Sequence, residues 1–195
     1  MKQLRTIIGL IVLVSFVLDY PASLFAQGSG PRASLKATTM QRLGTDLDIT
    51  IVYSRPGVKG RKIWGDLVPY GLAPGNRPSN DKPFPWRAGA NENTTIEFNK
   101  GLMIEGKKLA AGKYGIHMIP SEKDCIVIFS KDNDIWGSFT YNQENDALRV
   151  TVTPAEAPHQ EWLLYGFENL AGTSATAYLR WDKLKIPVKI EVAGE

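Results

Sequence analysis

Residues 94–129 read TTIEFNKGLMIEGKKLAAGKYGIHMIPSEKDCIVIF, a stretch in which short apolar runs are separated by turn-forming residues. The runs are rich in β-branched and aromatic side chains, which pack well on a pleated surface, while the intervening Asn, Gly and Pro residues favour turns. Residues 125–129 are apolar throughout, which is typical of a strand in the middle of a sheet. This stretch therefore predicts consecutive short β-strands.

The same kind of pattern continues on both sides of this stretch. At residues 148–153 Leu, Val and Val alternate with Arg, Thr and Thr, which places one face of the strand inward and the other in water. Further strand-like runs occupy residues 48–54, 161–167, 175–181 and 186–192. No window of about 12 residues keeps a helical period without an interrupting Gly or Pro, and only residues 62–70 are expected to form one short helical turn.

About ten short strands at close spacing predict an all-β fold. We expect one domain over residues 34–195, built as an antiparallel β-sandwich of jelly-roll-like form, with a closed barrel as the alternative. The core is expected to hold apolar side chains of the most regular strands. These are Ile126, Ile128, Leu148, Val150, Val152, Leu179 and Trp181.

The N-terminus has the three parts of a secretory signal peptide. A basic start at residues 1–5 precedes the apolar run of residues 6–18, and Ala26 offers a small residue before a cleavage site. The apolar run is shorter than the roughly 20 residues that a membrane-spanning helix needs. We therefore expect a signal peptide at residues 1–26 and a flexible leader at residues 27–33. The mature protein would be periplasmic or extracellular, without a stable membrane anchor.

Composition excludes several classes of function. The chain has 23 basic and 20 acidic side chains, a balance that lacks the strong basic stripe of a nucleic-acid-binding protein. Cys125 is the only cysteine, so no internal disulfide can form, and its apolar surroundings indicate a buried thiol. His117 and His159 are the only histidines, which excludes a three-histidine metal site and leaves two candidates for a catalytic triad. We expect no metal ion and no cofactor.

Two polar loops, each next to a strand, are the candidate binding elements. Residues 55–62 hold four cations, among them Arg55, Lys59 and Arg61. Turn amides together with Arg and Lys side chains can bind an anion, and a solvated basic loop is the alternative. The second loop, residues 86–95, is dense in side chains that form hydrogen bonds. Its candidates are Trp86, Arg87, Asn91, Glu92 and Asn93.

The two polar loops are separated by residues 72–85, whose prolines prevent regular structure. A loop of this length in a compact domain is usually functional or disordered. If the strands next to the two polar loops are neighbours, the loops emerge at the same end of the sandwich. Glu92 is then expected to lie near Arg55 or Arg87, because a carboxylate that leaves bulk water needs a cation.

Tryptophan is frequent, with five residues in the chain. Exposed tryptophans can stack on sugar rings through their apolar faces. Trp162 and Trp181 lie in strand patterns and are expected in the core. Trp64, Trp86 and Trp136 lie at loop edges and are the better ligand candidates, with core packing as the alternative for each.

Several further motifs accompany these residues along the chain. They are Tyr53-Ser54-Arg55-Pro56, VKGRKI at 58–63, LVPYG at 67–71, Trp86-Arg87, GANENTT at 89–95, residues 109–114 and 127–129, Trp136-Gly137 and ALRV at 147–150. As a set they resemble the uncharacterised family known as domain of unknown function 2911, whose members are exported bacterial proteins common in the Bacteroidetes. The resemblance begins near residue 34 and extends to the C-terminus, and it implies fold and compartment but no known reaction. The chain departs from the family pattern at residues 72–85, where the family passes almost directly from Pro-Tyr-Gly to Trp-Arg.

These residues favour a non-catalytic domain that binds an anionic small molecule, a glycan or a cell-envelope component. Charge would come from Arg55, Lys59, Arg61 and Arg87, hydrogen bonds from Asn91, Glu92 and Asn93, and a stacking face from Trp64 or Trp86. One alternative is a hydrolase with Glu92 as acid or base and a second carboxylate such as Asp66 or Asp81. Another is a structural envelope protein whose motifs all serve packing. The lack of a recognisable catalytic signature favours binding over enzyme activity.

Overall fold

The computed structural model describes residues 31–193, and from Arg32 onward the described chain forms one compact unit. In chain order its strands are β1 (Leu35–Leu43), β2 (Leu47–Arg55), β3 (Thr94–Phe98), β4 (Leu102–Ile104), β5 (Lys107–Leu109), β6 (Gly112–Pro120), β7 (Cys125–Ser130), β8 (Asp146–Val152), β9 (Ala155–Ala171) and β10 (Ser174–Val192). The predicted signal peptide and most of the predicted leader lie outside the described residues. Residues 31–193 contain no helix with the length and apolar character that crossing a bilayer requires.

The larger sheet is antiparallel and contains six strands in the spatial order β1-β2-β3-β6-β7-β8. Its strands β2 and β3 are direct neighbours, with Val52 paired opposite Thr95. Because the two strands are antiparallel, the end of β2 and the beginning of β3 lie at the same end of the sheet. This register places residues 55–62 and 86–95 at one end of the molecule.

The smaller sheet contains four antiparallel strands in the order β5-β4-β10-β9. The strands β9 and β10 are 17 and 19 residues long, so the two strands predicted at residues 175–181 and 186–192 are one continuous strand. Asp182 has a φ of 52°, and the register with β9 shifts on both sides of it. A bulge at Asp182 thus bends the strand without ending it.

The two sheets pack face to face and do not close into a barrel, which confirms the all-β sandwich. On β2 the inward side chains are Ile49, Ile51 and Tyr53, every second residue, as a strand with one buried face requires. The predicted core residues of the later strands are also confirmed. Val150, Val152, Leu179 and Trp181 lie in the core, and Leu148 packs against it.

The strand β7 presents the opposite side to the core from the one predicted. Cys125, Val127 and Phe129 belong to the core cluster, whereas Ile126 is half-buried and Ile128 is buried outside that cluster. Because side chains alternate along a strand, both isoleucines face away from the space between the sheets. The predicted burial of Ile128 is confirmed, at 0% exposure, and that of Ile126 is wrong. The burial of Cys125 is confirmed, and it raises the pKa of the thiol to about 12.

Both faces of β7 are buried because the loop of residues 131–145, between β7 and β8, covers the outer face of the larger sheet. Ile128 is paired with His117 of β6, so the two side chains share that outer face. Ser138 contacts the imidazole, and the ring of Tyr141 lies 5.2 Å from the imidazole ring. Because both of its faces are buried, β7 has apolar side chains at consecutive positions and not the alternating pattern of a half-exposed strand.

The irregular segments between β2 and β3 are stabilised by local hydrogen bonds. Residues 62–70 form turns, not the helical turn predicted, and the N–H of Gly65 donates to the carbonyl oxygen of Val68 at 2.9 Å. In residues 72–85 the main chains of Ala73 and Phe84 exchange two hydrogen bonds, of 2.8 and 3.1 Å. The Pro-rich segment therefore closes on itself as a compact loop.

Candidate functional site

A cavity of about 470 Å³ opens between the loop that follows β2 and the segment that precedes β3. Five of the predicted binding residues line it: Lys59, Arg61, Trp86, Arg87 and Asn91. We call this space, defined by these residues and Trp181, the basic cavity. The two polar loops thus share one cavity, but Arg55, Trp64, Glu92 and Asn93 do not line it.

The first loop is attached to the neighbouring sheet where it leaves β2. Gly57 forms a bridge with Trp162 of β9, and the N–H of Leu163 donates to the carbonyl oxygen of Pro56 at 3.0 Å. Trp162 is 39% exposed, so its predicted core position is wrong. Its ring lies 5.7 Å from the ammonium of Lys59, close enough for a cation–π contact beside the cavity.

A tight turn then directs two cations to the cavity. Lys59 and Gly60 have φ values of 49° and 70°, in the left-handed region, so the chain reverses there. The guanidinium of Arg61 donates to the carbonyl oxygens of Gly57, at 2.6 Å, and Val58, at 3.1 Å. The orientation of Arg61 is therefore determined by its own loop.

Arg87 supplies the least solvated charge of the basic cavity. Its side chain is half-buried, and this desolvation lowers the pKa of the guanidinium. It donates to the carbonyl oxygen of Asn91 at 2.8 Å and lies 4.9 Å from the ring centroid of Phe139. Within residues 31–193 no carboxylate pairs with it. A partly desolvated cation without a carboxylate partner is a strong anion attractor.

Indole rings form one wall of the basic cavity. Trp86 is half-buried and stacks on Trp181, with ring centroids 6.0 Å apart and planes 15° apart. Trp64 lies behind this pair at 90° to Trp86 and is 8% exposed, so it supports the wall from the core. The main chain of Trp86 exchanges two 2.8 Å hydrogen bonds with Met118 of β6, which attaches the wall to the larger sheet.

The lining of the basic cavity is chemically one-sided. Among the described residues that line it there are three cations and no Asp, Glu, His or Cys side chain. The remaining wall includes Ser34 of the chain segment before β1, whose carbonyl oxygen accepts a 3.1 Å hydrogen bond from the side chain of Asn91. Charges of one sign in a cavity with low-dielectric walls concentrate the electric field there. The geometry therefore suits an anion and offers little for acid–base chemistry.

Glu92 and Asn93 lie on a different surface from the basic cavity. They line a second depression of about 390 Å³, which we call the polar groove. The side chains that define it are Lys36, Ser54, Glu92, Asn93, Thr95, Lys113, Asn133, Asp134 and Trp136. Asn91 has a φ of 60°, and this left-handed residue turns the chain between the two sites. Neighbouring residues of one loop therefore serve two separate surfaces.

The expected pairing of Glu92 with Arg55 or Arg87 is wrong. The carboxylate of Glu92 instead pairs with Arg32, in the segment before β1, and lies 3.5 Å from the hydroxyl of Ser54. Arg55 donates to the main-chain carbonyl of Leu163 at 2.9 Å. Arg55 and Arg87 thus donate to main-chain carbonyls, and the carboxylate of Glu92 takes a different cation.

This pairing bears on the hydrolase alternative. The hydrogen bond from Arg32 holds the pKa of Glu92 below its usual value, so the group is ionised at neutral pH. A general acid requires a raised pKa, and a depressed one also weakens a base. Asp66 and Asp81 are exposed and do not line the polar groove, where the other carboxylate is Asp134. The arrangement gives no support to a two-carboxylate glycosidase.

A buried polar network next to Arg87 joins one predicted site residue, Asn93, to His117 and Ser138. His117 and Ser138 are 0% and 1% exposed, with Nδ1 of the imidazole 2.7 Å from the hydroxyl oxygen. Nε2 of His117 lies 3.4 Å from the side-chain nitrogen of Asn93. Besides Asn93, the sequence offered one signal for this network, namely that His117 is one of only two histidines in the chain. The contact with Ser138 could not be predicted, because Ser138 lies on a separate loop that folds over β6.

Burial determines the chemistry of this network. Desolvation lowers the pKa of His117 to about 4, with the charge of Arg87 acting in the same direction and that of Asp132 in the opposite one. The imidazole is therefore neutral at neutral pH. Neither His117 nor Ser138 lines the basic cavity or the polar groove, so substrate in those spaces does not reach them. Within residues 31–193 no three His, Cys, Asp or Glu side chains are grouped to hold a metal ion.

Comparison with known proteins places the chain in a family. The family model described as protein of unknown function DUF2911 matches residues 34–190, nearly all of the described chain. The chain therefore belongs to this family. No curated protein and no solved structure matches it.

Proposed function

We propose that this member of the DUF2911 family is an exported, non-catalytic binding protein whose basic cavity holds a small anionic ligand. The observation that carries the proposal is the lining of the cavity. Three cations converge there without a carboxylate, beside a wall of stacked indoles. The anionic group is the feature shared by the small molecules, charged glycans and envelope components that fit such a site.

The cations differ in what they contribute to binding an anion. Arg87 is half-buried, and a bound carboxylate or phosphate would restore the charge-assisted hydrogen bonds that it lacks from the described chain. Lys59 and Arg61 are exposed and lie on a turn, so they would contact the solvent-facing side of a bound ligand. The deep charge supplies affinity, and the outer charges supply attraction over a longer range.

The wall and the volume define the rest of the ligand. Trp86 offers a half-buried indole, which suits a flat or apolar part next to the anionic group. A volume of about 470 Å³ lies within the range of sites for small molecules. We therefore propose a compact ligand with one anionic end, or the charged end of a longer chain.

The binding test uses calorimetric titration with inorganic phosphate, citrate, benzoate and glucose 6-phosphate. At least one should bind, and Arg61→Gln should weaken it roughly tenfold or more, because hydrogen bonds to charged groups contribute about 1.5–3 kcal/mol. Lys62→Gln is the matched control, since Lys62 is exposed on the same loop but does not line the cavity. No binding of any of these anions, or equal loss in both variants, would overturn the proposal.

Export is a separate part of the proposal and rests on the sequence of residues 1–26. Mass spectrometry of the protein from its native host should give an N-terminus near Gln27. Mature protein that retains Met1 would refute export while leaving the basic cavity unaffected.

A further inference from the structure

We infer that the polar groove is a second ligand site, and that it binds the pyranose rings of a glycan. Trp136 lines this groove and is 58% exposed, more than any other tryptophan in residues 31–193. The C–H groups on one face of a pyranose ring are apolar, and an exposed indole is a flat surface on which they can stack. The inference rests on residues that the basic cavity does not use.

The side chains around Trp136 match the hydroxyl groups of a sugar. The groove carries Lys36 and Lys113 as donors and Glu92 and Asp134 as acceptors, so its formal charges balance. The amide of Asn133 also lines it. A sugar hydroxyl both donates and accepts, and it therefore needs such interspersed partners. A simple anion would meet two carboxylates in this groove.

The groove is rigid where it carries the indole. The N–H of Asn93, at the start of β3, donates to the carbonyl oxygen of Ile135 at 3.1 Å. The side chain of Asn133 donates to the carbonyl oxygens of Lys113 and Lys131, both at 3.0 Å. The bond to Lys113 attaches this loop to β6, and the bond from Asn93 attaches it to the residue just before β3. A platform fixed in this way spends little conformational entropy on binding.

A polar atom at the groove lacks a protein partner. Asn93 lines the groove, is 8% exposed, and its Oδ1 accepts no hydrogen bond within the described part of the chain. Its side-chain nitrogen lies 3.4 Å from Nε2 of His117, so the amide is directed into the buried network beneath the groove. The proposed sugar contacts are therefore the exposed indole and the charged side chains of the groove.

A protein partner fits the groove less well than a glycan. The centre of a protein interface is depleted of charged residues, whereas four charged side chains line this groove. Of the described residues that line it, the aromatic ones are Trp136 and Tyr53, and Tyr53 is buried in the core. A lone indole surrounded by polar groups therefore favours sugar rings over an apolar protein surface.

The test is retention of the purified protein on insoluble polysaccharides: peptidoglycan sacculi, cellulose, chitin and starch. Soluble hexasaccharides of glucose, N-acetylglucosamine and xylose are titrated in parallel. We expect retention on at least one, and Trp136→Ala should reduce it at least tenfold while unfolding stability changes little, because the indole is exposed. Trp162→Ala, which removes a tryptophan that is 39% exposed and does not line the groove, should retain the wild-type behaviour.

Three results would overturn the inference. They are no retention on any polysaccharide together with no hexasaccharide binding, full retention by Trp136→Ala, and glycan binding that is lost in Arg61→Gln. The last result would place the sugar in the basic cavity. The first result, if accompanied by capture of a protein through Trp136, would identify the groove as a protein interface. The glycan inference and the anion proposal therefore fail in distinguishable ways.

Discussion

A β-carbon on Gly137 would lie 2.5 Å from Cζ of Arg87, well inside van der Waals contact. Gly137 also has a φ of 69°, which side chains with a β-carbon rarely adopt. Its carbonyl oxygen lies 3.5 Å from the side-chain nitrogen of Asn93. The backbone at Gly137 thus separates the guanidinium of the basic cavity from the buried network around His117.

Gly137→Ala should lower the free energy of unfolding by about 2–4 kcal/mol. The left-handed backbone costs a residue with a β-carbon roughly 1–2 kcal/mol, and overpacking against Arg87 adds a similar amount. Gly44→Ala is the control, because Gly44 has a φ of 59° but nothing within 4 Å of the added carbon. Urea denaturation followed by circular dichroism measures both. In an Arg87→Ala background, Gly137→Ala should cost no more stability than Gly44→Ala, because the overpacking is removed. An unchanged cost in that background would contradict the contact.

Glu92→Gln should cost less than about 1 kcal/mol, because the ion pair with Arg32 is solvent-exposed, with side chains 37% and 55% exposed. Thermal and urea denaturation measure the change. Asp146→Asn provides the comparison, since the carboxylate of Asp146 is 9% exposed and pairs with Arg149. Its loss should be several-fold larger. If both variants lose the same stability, Glu92 is more buried in solution than its contacts here indicate.

The stability of the domain should fall as the pH decreases from about 6.5 to 4. The pKa of His117 is about 4 in the folded protein, against 6.5 for an ordinary histidine, so the unfolded chain takes up the proton first. This contribution is complete above pH 6.5 and is lost over that window, by about 3 kcal/mol in total. His117→Gln should flatten the pH dependence of unfolding, whereas Ser138→Ala, which leaves the imidazole buried, should retain it. Identical profiles for His117→Gln and the wild type would refute this origin.

Truncation on β7 should distinguish its two outer-face isoleucines. Ile128 is 0% exposed, and Ile128→Ala should cost about 2–5 kcal/mol, as for other fully buried side chains. Ile126 is half-buried on the same face, so Ile126→Ala should cost less than half as much. Equilibrium unfolding of the two variants gives the ratio directly. A larger loss for Ile126 would mean that the covering loop does not seal the strand at Ile128.

The fold class could be predicted from the sequence because most strands alternate or are bounded by turn residues. The strand β1 was not predicted, since it lies at the edge of its sheet and only Leu43, at its end, is buried. The extent of β10 was also not predicted, because a bulge at Asp182 has no distinct signal in a single sequence. Edge exposure and bulges both weaken the period on which strand prediction relies.

The residues of the basic cavity could be predicted in part. The rest could not, because their positions depend on the conformation of the main chain. Side-chain chemistry identified Lys59, Arg61 and Arg87, and strand neighbours then bring them to one cavity. The position of Glu92 depends on the φ of Asn91, and its partner Arg32 is distant in sequence. Neither local conformation nor long-range pairing can be read from residue types alone.

The central position of β10 in the smaller sheet has a consequence for how the polypeptide acquires its structure. Because β10 lies between β4 and β9, that sheet cannot assemble before residues 174–192 have been synthesised. Strand β4 can pair with β5 at once, but its second partner is more than 80 positions away, as in the pair Ile104–Ile190. Such non-local pairing slows folding. The smaller sheet of a nascent chain therefore stays incomplete until synthesis is nearly finished, while all strands of the larger sheet are already available.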